Sequence, residues 1–153
     1  IMNNWSLEVV LRMESDLDGI RKEELEILEK LGLEPEKRVN DADVALDGMI
    51  GYNLEGNPRS PFDEMIEEFN NLDAYHISID TPSGFDLNEE QFLDPHVEVD
   101  AVLTLAAPFR ALKEFDVDHQ LIDISIPKEA YAEAGLNIIP SKLFSRSSRI
   151  KLV

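Results

Sequence analysis

Two short apolar runs, residues 42–47 and 75–80, each end on an aspartate and turn at once into a loop rich in glycine or proline. Runs of this length bounded by turn residues read as strands, and a strand stopping on a carboxylate is how an α/β protein presents a reactive acid. In the second run Tyr75, Ile77 and Ile79 supply β-forming side chains. Pro82 then pushes Thr81 toward extended backbone and Gly84 admits positive φ, so the chain bends and leaves Asp80 at the carboxyl end of a strand. Ligands of open α/β sheets bind at that edge, in the crevice framed by the departing loops. The competing reading is that Asp80 only caps its own turn, a common use of Asp; this segment alone leaves both open.

The first run places Asp47 at the same edge, followed by a loop containing Gly48, Gly51 and Gly56. A helix start comes next: Ser60 is suited to capping, Pro61 to the first helical position, and Asp63 to the positive end of the helix dipole. Strand, glycine loop and helix together favour phosphate-sized anions, although such loose spacing also fits an ordinary connection.

The rest of the chain keeps this rhythm. Its pattern predicts a strand over 7–13, a helix over 20–31 begun near Asp16 or Asp18 and ended by Gly32, a strand over 43–47 and a helix over 61–72. Strands over 75–80, 101–106 and 121–126 and a short helix over 127–134 follow. Strands alternating with helices indicate a parallel sheet with crossover helices. On the first helix Ile20, Leu25, Leu28 and Leu31 form an apolar stripe, expected to face the core, with the acids opposite it solvated.

A chain of 153 residues with 43% hydrophobic and 30% charged side chains suits one globular domain. The absence of cysteine excludes disulfides and thiolate metal or redox sites. With no apolar run long enough to span a bilayer and no basic-then-apolar leader, the expectation is no membrane partner and a cytoplasmic location. A net charge of −18, from 32 acids and 14 bases, argues against a nucleic-acid partner. An anionic small molecule would need local donors, such as loop N–H groups, Arg59 and Arg110, to overcome that field. So acidic a surface also suits a high-salt cytoplasm, where screening shortens repulsion. His76, His96 and His119 lack metal-ligand spacing, and Ser83 lacks the G-x-S-x-G frame of a nucleophile elbow. The basic residues Lys142, Arg146, Arg149 and Lys151 near the C-terminus read as a terminal arm answering local carboxylates, in preference to a docking segment.

Three blocks taken in order carry a resemblance: A-D-V-x-x-D-x-x-x-G-x-x-L-x-G-x-P-R from Ala42 to Arg59, I-D-x-P-S-G-x-D from Ile79 to Asp86, and D-A-x-L-T-L-x-A-P from Asp100 to Pro108. Together they resemble the NAD(P)HX epimerase family, or YjeF N-terminal domain, from Leu7 to about Leu136. The resemblance implies a Rossmann-like three-layer α/β/α sandwich with a mainly parallel sheet, residues 1–153 forming one such domain. It implies an enzyme that interconverts the R and S forms of a hydrated nicotinamide nucleotide, with a functional link to a dehydratase acting on the S form. Potassium would be the cofactor, with Asp47 and Ser83 matching its ligands. Gly51, Tyr52, Asn53, Leu54, Glu55, Gly56, Asn57 and Asp80 match the substrate-binding positions, and Asp80 is placed for acid–base work. Dimers are common in the family, which makes a homodimer a candidate assembly.

This chain departs from the pattern in four places. The family's opening G-N-N-G-G-D-G loop has no counterpart, since Asn3-Asn4 has no glycine beside it; the expectation is that this segment lies outside these 153 residues or that another chain completes the sheet. Ser125 stands where the family's I-G-I-P strand has glycine, Asn53 occupies a usual glycine of the loop, and Phe109 replaces a common lysine. A non-catalytic binding module of the same fold, like the resembling domains of mRNA-decapping scaffolds, is therefore the second functional class. Retention of Asp47, Asp80 and Ser83 favours the enzyme.

Overall fold

The computed structural model describes residues 11–12, 19–33, 35–36, 38–52, 54–108, 111 and 116–151. The chain divides into two compact units, residues 1–42 and 43–153. In the first, strand β1 (Leu11–Arg12) pairs in parallel with β2 (Pro35–Glu36), and helix α1 (Gly19–Lys30) runs between them in the chain. Most of the predicted strand over 7–13, Asp16 and Asp18 lie outside the described residues. The helix closes on Gly32 at φ +83°, with the Leu33 amide donating to the Leu28 carbonyl at 3.0 Å. Its apolar stripe is not a core face: Ile20 is 73% and Leu31 72% exposed, and Leu25 and Leu28 are only half-buried.

In the second unit, β3 (Val44–Asp47), β4 (Tyr75–Ile79), β7 (Ala101–Leu105), β8 (Asp118–Ile122) and β9 (Arg149–Lys151) form one sheet in that order, after the small hairpin of β5 (Phe85–Asp86) and β6 (Gln91–Phe92) has closed on itself. The first four strands are parallel, and β9 returns antiparallel on β8. Helices α2 (Phe62–Asn70), α3 (Lys128–Glu133) and α4 (Pro140–Leu143) complete the unit. It is an α/β fold with a mostly parallel sheet.

The register puts Ala45, Asp47, His76, Ser78, Val102, Thr104, His119 and Leu121 on one face, and all are buried. Helix α2 covers this face through Ile66 and Phe69, which cluster with Ala45 and Val97. Five of these eight side chains are polar: Asp47, His76 and Ser78 are hydrogen-bonded inside the fold, whereas the buried Thr104 hydroxyl has no hydrogen-bond partner among the described residues. The His76 ring nitrogens lie 3.0 Å from the Glu98 carbonyl and 3.1 Å from the Leu72 carbonyl, tying the end of α2 to the sheet. On the opposite face Val44 and Leu46 of the edge strand β3 are exposed, Leu46 by 63%.

Two boundaries depart from expectation. The fourth strand of the sheet pairs over 118–122, not 121–126. At the head of α2 the cap position is Pro61 with no side-chain cap bond, so Ser60 does not cap; Asp63 is in the first turn and accepts from the Glu64 amide at 2.8 Å. Ser125 sits at φ +62°, the left-handed conformation a glycine would adopt without strain, steadied by its amide donating to Asp123 at 2.8 Å.

The basic tail answers a local carboxylate as expected: Lys151 on β9 reaches Asp118 on β8 at 2.7 Å. Hydrogen bonds from Lys151 and then Gln120 hold the Asp118 carboxyl below its ordinary range, and the same pairing raises Lys151. His119, beside it and facing inward, is pushed down by burial more than Asp118 pulls it up. Its folded pKa thus lies below the unfolded value of 6.5. Above 6.5 both states hold it neutral; as pH falls below 6.5 only the unfolded chain takes the proton, so stability is lost until the folded pKa is passed. Urea titrations at descending pH should show this decline, at most about 1.4 kcal/mol per pH unit from one group. His119→Leu should flatten it, and an unchanged slope in that variant would assign the decline elsewhere.

Candidate active site

The carboxyl edge of the parallel strands gathers the acids singled out in the sequence. Asp47 ends β3 and is only 1% exposed, yet both of its oxygens are fully engaged. Oδ1 accepts from the Ser83 hydroxyl at 2.5 Å and the Met49 amide at 3.2 Å; Oδ2 accepts from the Ser78 hydroxyl at 2.6 Å and the Ser83 amide at 2.8 Å. A buried carboxylate is tolerated when several donors replace its water. The Ser83 oxygen in turn accepts from the Ile50 amide at 2.9 Å, so this one serine joins the loop after β3 to the loop after β4. Ser78 was not foreseen. Its signal was its place between Ile77 and Ile79, on the polar side of an alternating strand.

Asp80 sits one residue beyond β4 at φ +67°. A non-glycine residue in the left-handed region persists only where its surroundings hold it there, a condition that concentrates at functional sites. Its amide donates to the Leu103 carbonyl at 2.9 Å, and its Oδ1 accepts from the Leu105 amide at 3.1 Å. Asp80 is therefore fixed to the neighbouring strand and does not cap its own turn. Its second oxygen has no partner among the described residues, and the side chain is half-buried. Ala106, the residue after β7, is likewise left-handed at φ +60°, and its carbonyl accepts from the buried Tyr131 hydroxyl at 3.0 Å.

Gly51, Tyr52, Leu54, Glu55 and Asn57 line a cavity of about 570 Å3 together with residues that include Met49, Ile50, Arg59 and Phe62. Asn53, Phe109 and Arg110 lie outside the described residues, and Gly56 is in the loop but not in the cavity wall. Asp47 and Ser83 are in direct contact, whereas Asp80 is not part of that wall. The cavity joins the buried cluster through the Ile50–Ser83 hydrogen bond. Among the described residues no group of three or more His, Asp or Glu could hold a metal, so any ion here would rely on mixed oxygen donors. The Asp47 carboxylate, the Ser83 hydroxyl and the Ile50 carbonyl, 3.5 Å from that hydroxyl, are such a set, of the kind hard cations prefer.

Residues 2–111 match the family model described as YjeF-related protein N-terminus. The chain is 37% identical over 103 residues to the NAD(P)H-hydrate epimerase of Dictyostelium discoideum, covering 65% of this chain and 42% of that protein. It is 34% identical over 131 residues to the NAD(P)H-hydrate epimerase of Dehalogenimonas lykanthroporepellens, covering 79% and 53%. This chain therefore spans about half the length of these relatives. The crystal structure of yeast ynu0 aligns with a TM-score of 0.57 at 20% identity, over 70% of this chain and 45% of that one, a likeness of fold. No helix among the described residues is long and apolar enough to cross a membrane.

Proposed function

Because this chain belongs to the family of YjeF-related protein N-termini, we propose that it interconverts the R and S forms of hydrated NADH or NADPH, residues 1–153 acting as one domain of that kind. The observation that carries this reading is Asp80: strained, anchored through one oxygen to Leu105, and presenting at the carboxyl edge of the sheet a second oxygen that has no partner among the described residues. Inverting a carbon that bears a hydroxyl requires one of its bonds to break and re-form on the other face. If the C–O bond breaks, a proton must be delivered to the departing oxygen so that water leaves. When water adds to the other face, it must give up a proton, which restores the acid. A single carboxyl does both in turn, donating and then accepting, with no net change.

Asp47 and Ser83 are the proposed ligands of a potassium ion, the Ser83 proton turning away from Asp47 to make room. The ion would supply positive charge beside an otherwise acidic edge. Gly51, Tyr52, Asn53, Leu54, Glu55, Gly56 and Asn57 form the proposed substrate loop. The dehydratase that removes the S form is the proposed functional partner, a homodimer the proposed assembly, and the cytoplasm the proposed compartment. The test starts from a chromatographically pure epimer of hydrated NADH. The full chain should speed its relaxation to the mixed epimers, faster in potassium than in lithium salts. A rate equal to buffer alone would overturn the reading, and equal rates in both salts would remove the ion from it.

A further inference from the structure

Among the described residues Arg59 is the only basic side chain lining the cavity beside the substrate loop, and its guanidinium has neither an ion pair nor a hydrogen bond with any of them. In this chain of 32 acids and 14 bases, Lys128 and Lys151 each reach a carboxylate, at 3.7 and 2.7 Å. Arg59 is exposed, with its backbone fixed at the turn by the Phe62 amide donating to its carbonyl at 2.9 Å. A planar guanidinium presents a fork of N–H donors matched to phosphate oxygens. Around it the wall offers complementary features. Gly51 leaves open space where a Cβ would stand, so a ligand can approach the loop backbone closely, and Tyr52 is 65% exposed. A volume of about 570 Å3 falls within the range of small-molecule sites.

We propose that Arg59 binds a phosphate group of the nucleotide and supplies the local positive charge that lets an anionic substrate approach this acidic chain. This rests on the reading of the substrate as a hydrated nicotinamide nucleotide, but its test does not require turnover. Calorimetric titration of the full chain with NAD+ and NADP+ at low salt should give a dissociation constant about tenfold or more higher for Arg59→Ala than for the unsubstituted chain, the loss of one charge-assisted contact. Arg59→Lys should recover part of the affinity, because it keeps the charge but not the fork. The alanine variant should also show a shallower dependence of affinity on salt. Where turnover is measurable, KM should rise while kcat stays within about twofold, a split that misfolding would not produce.

Equal losses for NAD+ and NADP+ assign the contact to the diphosphate, and a loss confined to NADP+ assigns it to the 2′-phosphate. Nucleotide binding that depends on Arg59 without epimerisation would refute the proposed reaction and leave the phosphate site standing. Unchanged affinity in Arg59→Ala, or no binding of either nucleotide by the unsubstituted chain, overturns the proposal.

Discussion

Asp80→Asn abolishes epimerisation without unfolding the protein: the expected loss in turnover is about a hundredfold to ten-thousandfold, the usual range for a general acid–base group. The substitution is conservative in every other respect. Asparagine keeps an oxygen to accept from the Leu105 amide, and it tolerates the left-handed backbone that Asp80 adopts. The unfolding midpoint in urea should therefore shift by less than about 1 kcal/mol, the scale of one neutral hydrogen bond. What disappears is the proton that the free oxygen could give and take. A binding module of the same fold would be indifferent to the change in any ligand assay that does not measure chemistry. Turnover retained within a few-fold would show that the proton travels by another route. A large loss of stability would show that the carboxylate charge holds the edge together and would leave the catalytic assignment to a second variant, Asp80→Glu.

Much of this edge was legible because its residues are punctuated. Strands β3, β4 and β7 fall within a residue of their expected bounds, each being an apolar run closed by Asp, Pro or Gly. Strand β8 lies three residues ahead of its expected start because Asp118, His119 and Gln120 are polar and carry no strand pattern, yet the sheet recruits them through pairing to β7 and to the tail strand β9. Neither pairing can be seen in a local window. Strand β4 misleads in a different way. Tyr75, Ile77 and Ile79 look like the inward face, yet the residues facing the helix-covered core are His76 and Ser78, made tolerable there by two carbonyls and the Asp47 carboxylate. The stripe on α1 fails for the opposite reason: periodicity marks an apolar face, but burial depends on what else the chain supplies. Likewise only the resemblance links Asp47 to Ser83 in the sequence, and the direct bond between them, with Ser78 as third member, arises where the loops after β3 and β4 meet in the fold.

Gly84→Ala should be the most destabilising single methyl in the chain's functional edge, at about 2–5 kcal/mol. Two independent effects combine. The residue sits at φ +91°, where an L side chain is strained by roughly 1–2 kcal/mol. A Cβ there would also lie 2.6 Å from the His96 Cα, 2.7 Å from its Cβ and 2.7 Å from the Pro95 carbonyl oxygen. Two of these three atoms are backbone, so no side-chain rotation relieves the clash, and overpacking of this kind typically adds about 1–3 kcal/mol. The surrounding loop cannot shift freely either. The Gly84 carbonyl accepts from Leu93 at 2.8 Å, and the Ser83 carbonyl accepts from Val97 at 2.9 Å, with Val97 itself in the core beside α2. Moving this turn would pull Ser83 from Asp47 and leave a buried carboxylate short of donors. Urea unfolding measures the loss directly, and a change below about 1 kcal/mol would mean that the turn relaxes in a way this packing does not allow. Because Ser83 is displaced with Gly84, any protein that remains folded should also lose its response to potassium, which ties the stability of this turn to the chemistry proposed at the edge it shapes.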